Sequence, residues 1–163
     1  MEEPINKILL EVDDDIQCEW PSDFNWEKAL DHVRKIKPKI EELLGCDLAL
    51  DDSIQDASYF ASLVILSYIP PDPNLYTAPG VERGGTYYTV IDISFSCFGN
   101  LTTIVIGDDY KDKFSDEQII SVGNLLNKNG FTYIPEKYLL EKYTGNNPYF
   151  PEATWGERYF SHL

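Results

Sequence analysis

The chain has 163 residues, 43% of them hydrophobic and 25% charged, and its 28 acidic against 13 basic residues give a net charge of −15. A chain of this length and composition folds as one domain that buries roughly 68 to 70% of its unfolded surface, which excludes disorder and a need for disulfides or metal. The charge disfavours nucleic acid and anionic membranes as partners, and it either attracts a basic partner or serves only solubility.

The N-terminal part of the chain is acidic and holds the first cluster of aspartates. Residues 1–23 contain many carboxylates and a single cation, Lys7. Ile5–Val12 fits a short strand or a helix, after which Asp13–Asp15 form a loop or a helix start. The apolar cluster Ile8–Leu10 is too short for a signal peptide or a membrane span, which predicts a cytoplasmic protein.

The first long helix is predicted between Asn25 and Gly45. Apolar residues recur at helical spacing through this stretch, Asn25 suits the N-cap, and Gly45 suits the end. Pro38 removes one backbone donor inside it, which predicts a kink or two abutting helices. His32 falls on the polar side of the helix and is expected on the surface. The basic cluster Arg34–Lys39 is expected to neutralise neighbouring acidic loops.

An acidic loop and an apolar strand come next. The stretch Asp47–Asp56 contains acidic residues but no basic one. Tyr59–Ile69 is a nearly continuous apolar run, typical of a strand buried on both faces, although a buried helix has the same pattern. Pro70–Gly85 has no regular pattern and is expected to form a long loop, either solvated or functional.

The central element is a β-hairpin over residues 86–107. Two runs rich in Val, Ile, Thr, Phe and Tyr, Thr86–Cys97 and Leu101–Gly107, flank a Phe-Gly-Asn turn. Alternation puts Ile91 on a buried apolar face and Ser94 on a face that is at least half polar. We therefore expect a carboxylate to be tolerated at Ser94 but not at Ile91.

The rest of the chain is predicted to be mainly helical. Asp108–Asp112 is the third acidic stretch, and a capping box at Ser115 begins a helix that ends at Gly130. The later predicted elements are a strand Phe131–Ile134, a helix Glu136–Tyr143 and a helix Trp155–Leu163.

These elements predict one α+β domain over residues 1–163, with an antiparallel sheet around the central hairpin 86–107 and helices packed mainly on one face. Aromatic residues recur between Tyr133 and Phe160. They either pack this segment onto the sheet or form an exposed recognition surface.

No motif for catalysis or cofactor binding occurs in the sequence, which predicts a protein that is not an enzyme and has no cofactor. Asp108–Asp112 is similar to part of a calcium loop, but no Gly occupies the sixth position and Glu117 comes too early to be the last ligand. No metal site is therefore predicted. The odd number and irregular spacing of Cys18, Cys46 and Cys97 indicate reduced thiols.

The chain resembles the small acidic immunity proteins of bacterial toxin systems. The resemblance lies in size, acidity, an α+β plan and a C-terminal pattern, Tyr133-Ile134-Pro135-Glu136 followed by Trp155-Gly156-Glu157-Arg158-Tyr159-Phe160. It implies a cytoplasmic protein that is not an enzyme and that neutralises a basic protein toxin, such as a nuclease, by occluding its active site.

Charge clustering supplies the predicted partner-binding residues, because carboxylates in short loops with few cations can replace the phosphates that a nuclease binds. These residues are Asp13, Asp14, Asp15, Asp51, Asp52, Asp108, Asp109 and Asp112. Two other functions stay open. One is an enzyme whose acidic loops bind a metal or a small molecule, with its pocket under the 70–85 loop. The other is a subunit of a larger assembly, joined through the hairpin edge or the aromatic tail.

Overall fold

A five-stranded sheet organises the fold, and its strands lie side by side in chain order. The computed structural model describes residues 3–54, 58–70 and 85–161. The strands are β1 (Ala49–Asp51), β2 (Tyr59–Ile69), β3 (Thr86–Ser96), β4 (Leu101–Ile106) and β5 (Thr132–Tyr133). The helices are α1 (Glu3–Glu11), α2 (Trp26–Leu44), α3 (Asp116–Lys128), α4 (Glu136–Leu139) and α5 (Trp155–Phe160), with a 3-10 helix at Asp108–Lys113. The predicted α+β class is confirmed.

The sheet is mixed, because its last strand departs from the antiparallel pattern. Pairs β1–β2, β2–β3 and β3–β4 are antiparallel, as predicted, whereas β5 runs parallel to β4. Parallel neighbours need a crossover connection that returns the chain to the starting end of the sheet. The 3-10 helix and α3 supply that crossover, since they lie between β4 and β5 in the chain.

The central hairpin is confirmed, and its turn explains why Gly and Asn occur there. Gly99 and Asn100 have φ angles of 56° and 53°. Positive φ at both central residues is the conformation that lets a two-residue turn follow the twist of the strands, and Gly and Asn tolerate it best. The amide of Leu101 closes the turn by donating to the carbonyl of Phe98 at 3.0 Å.

The two longest helices cover the apolar face of the sheet. On that face Ile91, Ile93 and Phe95 are fully buried, as the alternation in β3 predicted. Phe131 lies between sheet and helix, because its ring contacts Phe95 with a centroid distance of 5.0 Å and stacks on His32 at 4.3 Å. His32 is therefore partly exposed, and one side of its ring is covered by Phe131 instead of facing solvent as predicted. Its imidazole contributes to the packing of α2 on the sheet through Phe131.

Helix α2 begins and ends where its caps predict. The Asn25 side chain accepts a hydrogen bond from the amide of Lys28, and Gly45 ends the helix with a φ of 70°. Pro38 lies inside one continuous helix, so two abutting helices are not formed. Pro38 lacks only the amide that would bond to the carbonyl of Arg34, and the packed apolar stripe of α2 keeps the helix intact despite that loss.

The opposite face of the sheet is polar and partly covered. The polar face that alternation predicted is present, but its residues Ser94 and Ser96 are only 8% and 1% exposed. The C-terminal segment accounts for part of this burial, because the Ser58 carbonyl accepts from Ser96 Oγ at 3.1 Å, and the Ser58 amide donates to the carbonyl of Ser161 at 3.1 Å. Ser161 directly follows α5.

The aromatic residues of the C-terminal segment form a core of their own. Trp155 and Tyr159 are fully buried, and their rings stack with centroids 5.7 Å apart. Tyr143 contacts Trp155 edge-on at 4.8 Å, and Tyr159 contacts Phe98 of the hairpin turn at 5.7 Å. These rings therefore pack the segment onto the rest of the domain, as the first of the two alternatives predicted.

The C-terminal end of β2 and the N-terminal end of β3 extend beyond their pairing with β1 and β4 as a two-stranded ribbon. Leu66, Tyr68 and Ile69 are about half exposed, at 51%, 51% and 50%. The prediction that β2 is buried on both faces is therefore wrong for its second half, because β1 pairs only with residues Ser62 to Val64. Most of the predicted 70–85 loop lies outside the described residues.

Candidate functional site

A row of polar side chains crosses the sheet on the face opposite α2 and α3. The strand register places Asp51 of β1 opposite Ser62 of β2, Ser62 opposite Ser94 of β3, and Ser94 opposite Thr103 of β4. Ser62 and Thr103 are 3% and 2% exposed. Because facing residues of neighbouring strands share one face of a sheet, these four side chains form a continuous polar row across the sheet.

Asp92 lies next to this row, two residues before Ser94 on the same face of β3. Its neighbours in the register are Val64 and Val105, so its carboxylate is flanked by apolar side chains. The Ser94 hydroxyl donates to Asp92 Oδ1 at 2.7 Å, and the hydroxyl oxygens of Ser94 and Ser62 are 3.1 Å apart. The sequence placed Asp92 on the polar face but gave no reason to select it.

The environment of Asp92 disfavours its charged form. Burial raises the pKa of the carboxyl above its ordinary value, hydrogen bonds from Ser94 and Ser62 oppose that rise, and the nearby charge of Asp51 adds to it. None of the ion pairs between described residues includes Asp92. A carboxyl with a perturbed pKa beside a cavity is a feature of functional sites.

A cavity of about 240 Å³ opens over this part of the sheet. Asp92, Ser94 and Thr103 line it together with the aromatic residues Tyr59 and Phe160. The small side chains of the polar row leave this space, which larger residues at the same positions would fill. The Thr103 hydroxyl is buried here and has no hydrogen-bond partner in the described part of the chain. An unpartnered buried hydroxyl beside a cavity calls for a physical explanation.

Replacing Asp92 by asparagine is expected to stabilise the protein at pH 7. The folded state raises the pKa of this carboxyl, so its ionisation costs stability above the folded pKa, and that cost disappears as the pH falls below the ordinary value of 3.8. Asparagine keeps the acceptor for Ser94 and carries no charge. The gain should therefore be largest near pH 7 and shrink towards pH 3.8, measured by urea unfolding at several pH values.

The exposed Asp109 provides the control for this prediction, since Asp109→Asn removes the same charge from the surface. Surface substitutions of this kind usually change stability by less than about 0.5 kcal/mol. If Asp92→Asn destabilises the protein at every pH, the carboxylate is a structural acceptor that the fold needs in its charged form.

Among the predicted partner-binding residues, Asp13 is buried and not exposed. Its side chain is 5% exposed, and Oδ1 accepts from Arg158 Nε at 2.8 Å. The hydroxyl of Tyr143 donates to the other oxygen of the same carboxylate. The expectation that Asp13 is exposed to a partner is therefore wrong. A buried carboxylate is retained here because a guanidinium and a phenol satisfy both of its oxygens.

The other residues of the first acidic stretch lie nearer the surface. Asp14 holds the loop together, because Oδ1 accepts from the amides of Ile16 and Gln17 at 2.8 Å each. The hydrogen bonds from Gln17 and Ile16 lower the pKa of the Asp14 carboxyl. Asp15 is exposed. Of these three aspartates, only Asp15 is fully exposed, and its side chain has no hydrogen bond to another described residue.

The second and third acidic stretches both reach the surroundings of the cavity. Asp51 begins the polar row, and Gly107, which directly precedes Asp108, lines the cavity. Asp52 and Asp108 are partly neutralised by ion pairs with Arg34 at 2.9 Å and Lys111 at 2.7 Å. The remaining predicted residues of these stretches are exposed at the surface: Asp51, Asp109 and Asp112.

Three alternatives, a metal site, a reactive cysteine and a second cavity, are each less well supported by the structure. In residues 3–54, 58–70 and 85–161, no three His, Cys, Asp or Glu side chains lie together in a way that would hold a metal ion. Burial raises the pKa of the Cys97 thiol to about 12, which leaves it a poor nucleophile. A larger cavity of about 460 Å³ lies over α2, but charged side chains of both signs line it, including Glu27, Lys28 and Lys35.

Within the described ranges, no helix has the length and apolar composition to cross a membrane.

Comparison with known proteins found no family model, no curated protein and no solved structure that matches this chain. The resemblance to immunity proteins therefore stays a prediction from the sequence.

Proposed function

We propose that this protein binds a basic protein partner through the polar face of its sheet. The observation that carries the proposal is the pair of carboxylates Asp51 and Asp92 on that face, with no ion-paired cation at either among the described residues. Asp51 is close enough to raise the pKa of Asp92. A cationic group from a partner would relieve this repulsion and stabilise the charged form of Asp92. That stabilisation would add to the free energy of binding.

The net charge of −15 supports the same proposal at longer range. Charge of one sign steers a partner of opposite sign towards the surface and raises the association rate. At physiological ionic strength the Debye length is about 8 Å, so this steering acts only close to the surface and weakens as salt is added.

The narrower form of the proposal is a toxin inhibitor of the immunity type. A nuclease presents a basic groove to phosphate, and a surface with exposed carboxylates at Asp51, Asp109 and Asp112 has the charge to occupy such a groove. Support for this form comes from the acidity and from the sequence resemblance. The identity of the captured partner tests it directly.

The experiment begins with recovery of partners from the native cell, using the whole chain as bait, followed by binding kinetics across a range of salt concentrations. We expect the association rate to fall as salt rises, with a smaller change in the dissociation rate. Asp51→Lys should reduce the association rate further, because it reverses a charge on the proposed face.

The matched control is Glu27→Lys, which changes the net charge equally at an exposed position of α2, across the sheet from the proposed face. Its effect on the association rate should be smaller than that of Asp51→Lys. Equal effects would show that net charge acts without a defined face. An acidic partner, or rates that ignore both salt and Asp51→Lys, would refute the proposal.

A further inference from the structure

We infer that the cavity over Asp92 is a receptor for one arginine side chain of the partner protein. The inference rests on the proposed function for the source of that arginine, and on the cavity itself for the chemistry. Asp92, Ser94 and Thr103 supply a carboxylate and two hydroxyls within one cavity of about 240 Å³. Such a site binds a cation that carries several N–H donors.

The first argument concerns the geometry of the acceptors. Asp92 Oδ1 accepts from Ser94 at 2.7 Å and Ser62 also hydrogen-bonds to the carboxylate, which leaves part of its roughly four lone-pair sites for a ligand. A guanidinium presents five N–H donors in a rigid plane, so it can bond to the carboxylate and to a neighbouring hydroxyl at the same time. An ammonium group lacks this planar spread of donors.

The second argument is the unpartnered hydroxyl. Thr103 is 2% exposed, lines the cavity and lies opposite Ser94 in the register, yet its Oγ1 has no partner in the described residues. A buried hydroxyl without a hydrogen bond is unfavourable for folding alone. A ligand N–H in the cavity would satisfy it, and this need is independent of the charge of Asp92.

The third argument is the aromatic lining. The aromatic residues Tyr59 and Phe160 line the same cavity. Guanidinium groups stack on aromatic faces more readily than ammonium groups do, because they are planar and more weakly hydrated. The chain already shows this preference elsewhere, where the guanidinium of Arg158 lies over the rings of Phe98 and Phe150 at 4.3 and 5.0 Å.

The first test uses the isolated chain and needs no partner. Methylguanidinium, its neutral analogue methylurea, and methylammonium are titrated separately against the ¹⁵N-labelled protein, and amide shifts are followed by NMR. We expect saturable shifts at Asp92, Ser94 and Thr103 with methylguanidinium, at least about tenfold weaker binding of methylurea, and weaker binding of methylammonium. Equal binding of methylguanidinium and methylurea, or shifts that are largest elsewhere, would overturn the inference.

Two variants separate binding from folding. Thr103→Val removes the unpartnered hydroxyl and Asp92→Asn removes the charge, and both are expected to keep or raise the melting temperature of the free protein. Asp92→Asn should weaken methylguanidinium binding about tenfold or more, and Thr103→Val should weaken it measurably. Glu27→Gln, which removes one exposed carboxylate across the sheet, is the control and should leave binding unchanged. Unaltered binding in Asp92→Asn would refute the site.

A competition experiment identifies the source of the cation. When the recovered partner is added to the protein loaded with methylguanidinium, we expect the probe to be displaced from the cavity. A probe that stays bound in the complex would show that a free cationic metabolite, not a partner side chain, is the ligand, and would overturn the assignment to a partner arginine. If the salt dependence of association holds while the cavity binds no probe, the proposed function survives and this inference fails.

Discussion

Ile91→Asp is expected to abolish the folded state at 25 °C, or to leave it only marginally populated. Ile91 is fully buried in the middle of β3, where it lies between Ile65 of β2 and Ile106 of β4. A carboxylate at this position would have no cation and only apolar neighbours in the register. Burying it costs several kcal/mol, which is comparable to the total stability of about 5–15 kcal/mol that is typical of a domain.

Circular dichroism and guanidinium chloride unfolding measure this effect, with two controls on the same strand. Thr86→Asp places the same carboxylate at the exposed start of β3 and should change stability little. Ile91→Val removes one methylene from the buried position and should cost about 0.5–1.5 kcal/mol. A cooperative unfolding transition for Ile91→Asp at the wild-type midpoint would show that the sheet does not have this buried face.

The structure also changes the expectation for Ser94→Asp. Ser94 is 8% exposed and its hydroxyl already donates to Asp92, so a second carboxylate there would lose a hydrogen bond and repel the first. We now expect Ser94→Asp to be destabilising, though less than Ile91→Asp, because the cavity beside it admits some solvent. The sequence alone predicted tolerance at this position.

Arg158→Met is expected to destabilise the protein by about 3–5 kcal/mol, the usual cost of removing one partner from a buried ion pair. Arg158 is fully buried, and it joins the C-terminal helix α5 to the loop after α1. Its guanidinium donates to Asp13 and to the carbonyls of Asp14, Gln17 and Cys18 at distances from 2.8 to 3.2 Å. Methionine keeps much of the packing volume but removes the charge that compensates Asp13 and leaves the Cys18 carbonyl without its donor.

Equilibrium unfolding of Arg158→Met should be compared with that of Lys142→Met. The Lys142–Glu152 pair is exposed, with side-chain accessibilities of 62% and 85%, so its loss should cost less than about 1 kcal/mol. The double variant Asp13→Asn/Arg158→Met should lose less stability than the sum of the two single losses, because it leaves no uncompensated buried charge. Strict additivity would mean that the two groups do not interact.

Local patterns in the sequence were sufficient for the elements that depend on neighbouring residues. The hairpin, its buried residue Ile91, the cap of α2 at Asn25 and the capping box at Ser115 follow from alternation, turn chemistry and N-cap preference. All of these act over a few residues, so the chain carries them in its linear order. The strand β1 was missed, because its three residues, Ala49–Asp51, give too short a pattern to detect.

Only the tertiary structure decided which polar residues meet. Asp13 and Arg158 are separated by 145 positions, and no local pattern distinguishes the aspartate that becomes buried from its exposed neighbour Asp15. The polar row could likewise not be predicted from the sequence, because the pairing of four strands sets its register. It consists of Asp51, Ser62, Ser94 and Thr103. The sequence by itself determined a single acidic α+β domain and the apolar face of its central hairpin. The fold decided which carboxylates stabilise it, because burial and pairing depend on contacts between distant segments. It also placed Asp92 beside a cavity with no paired cation among the described residues.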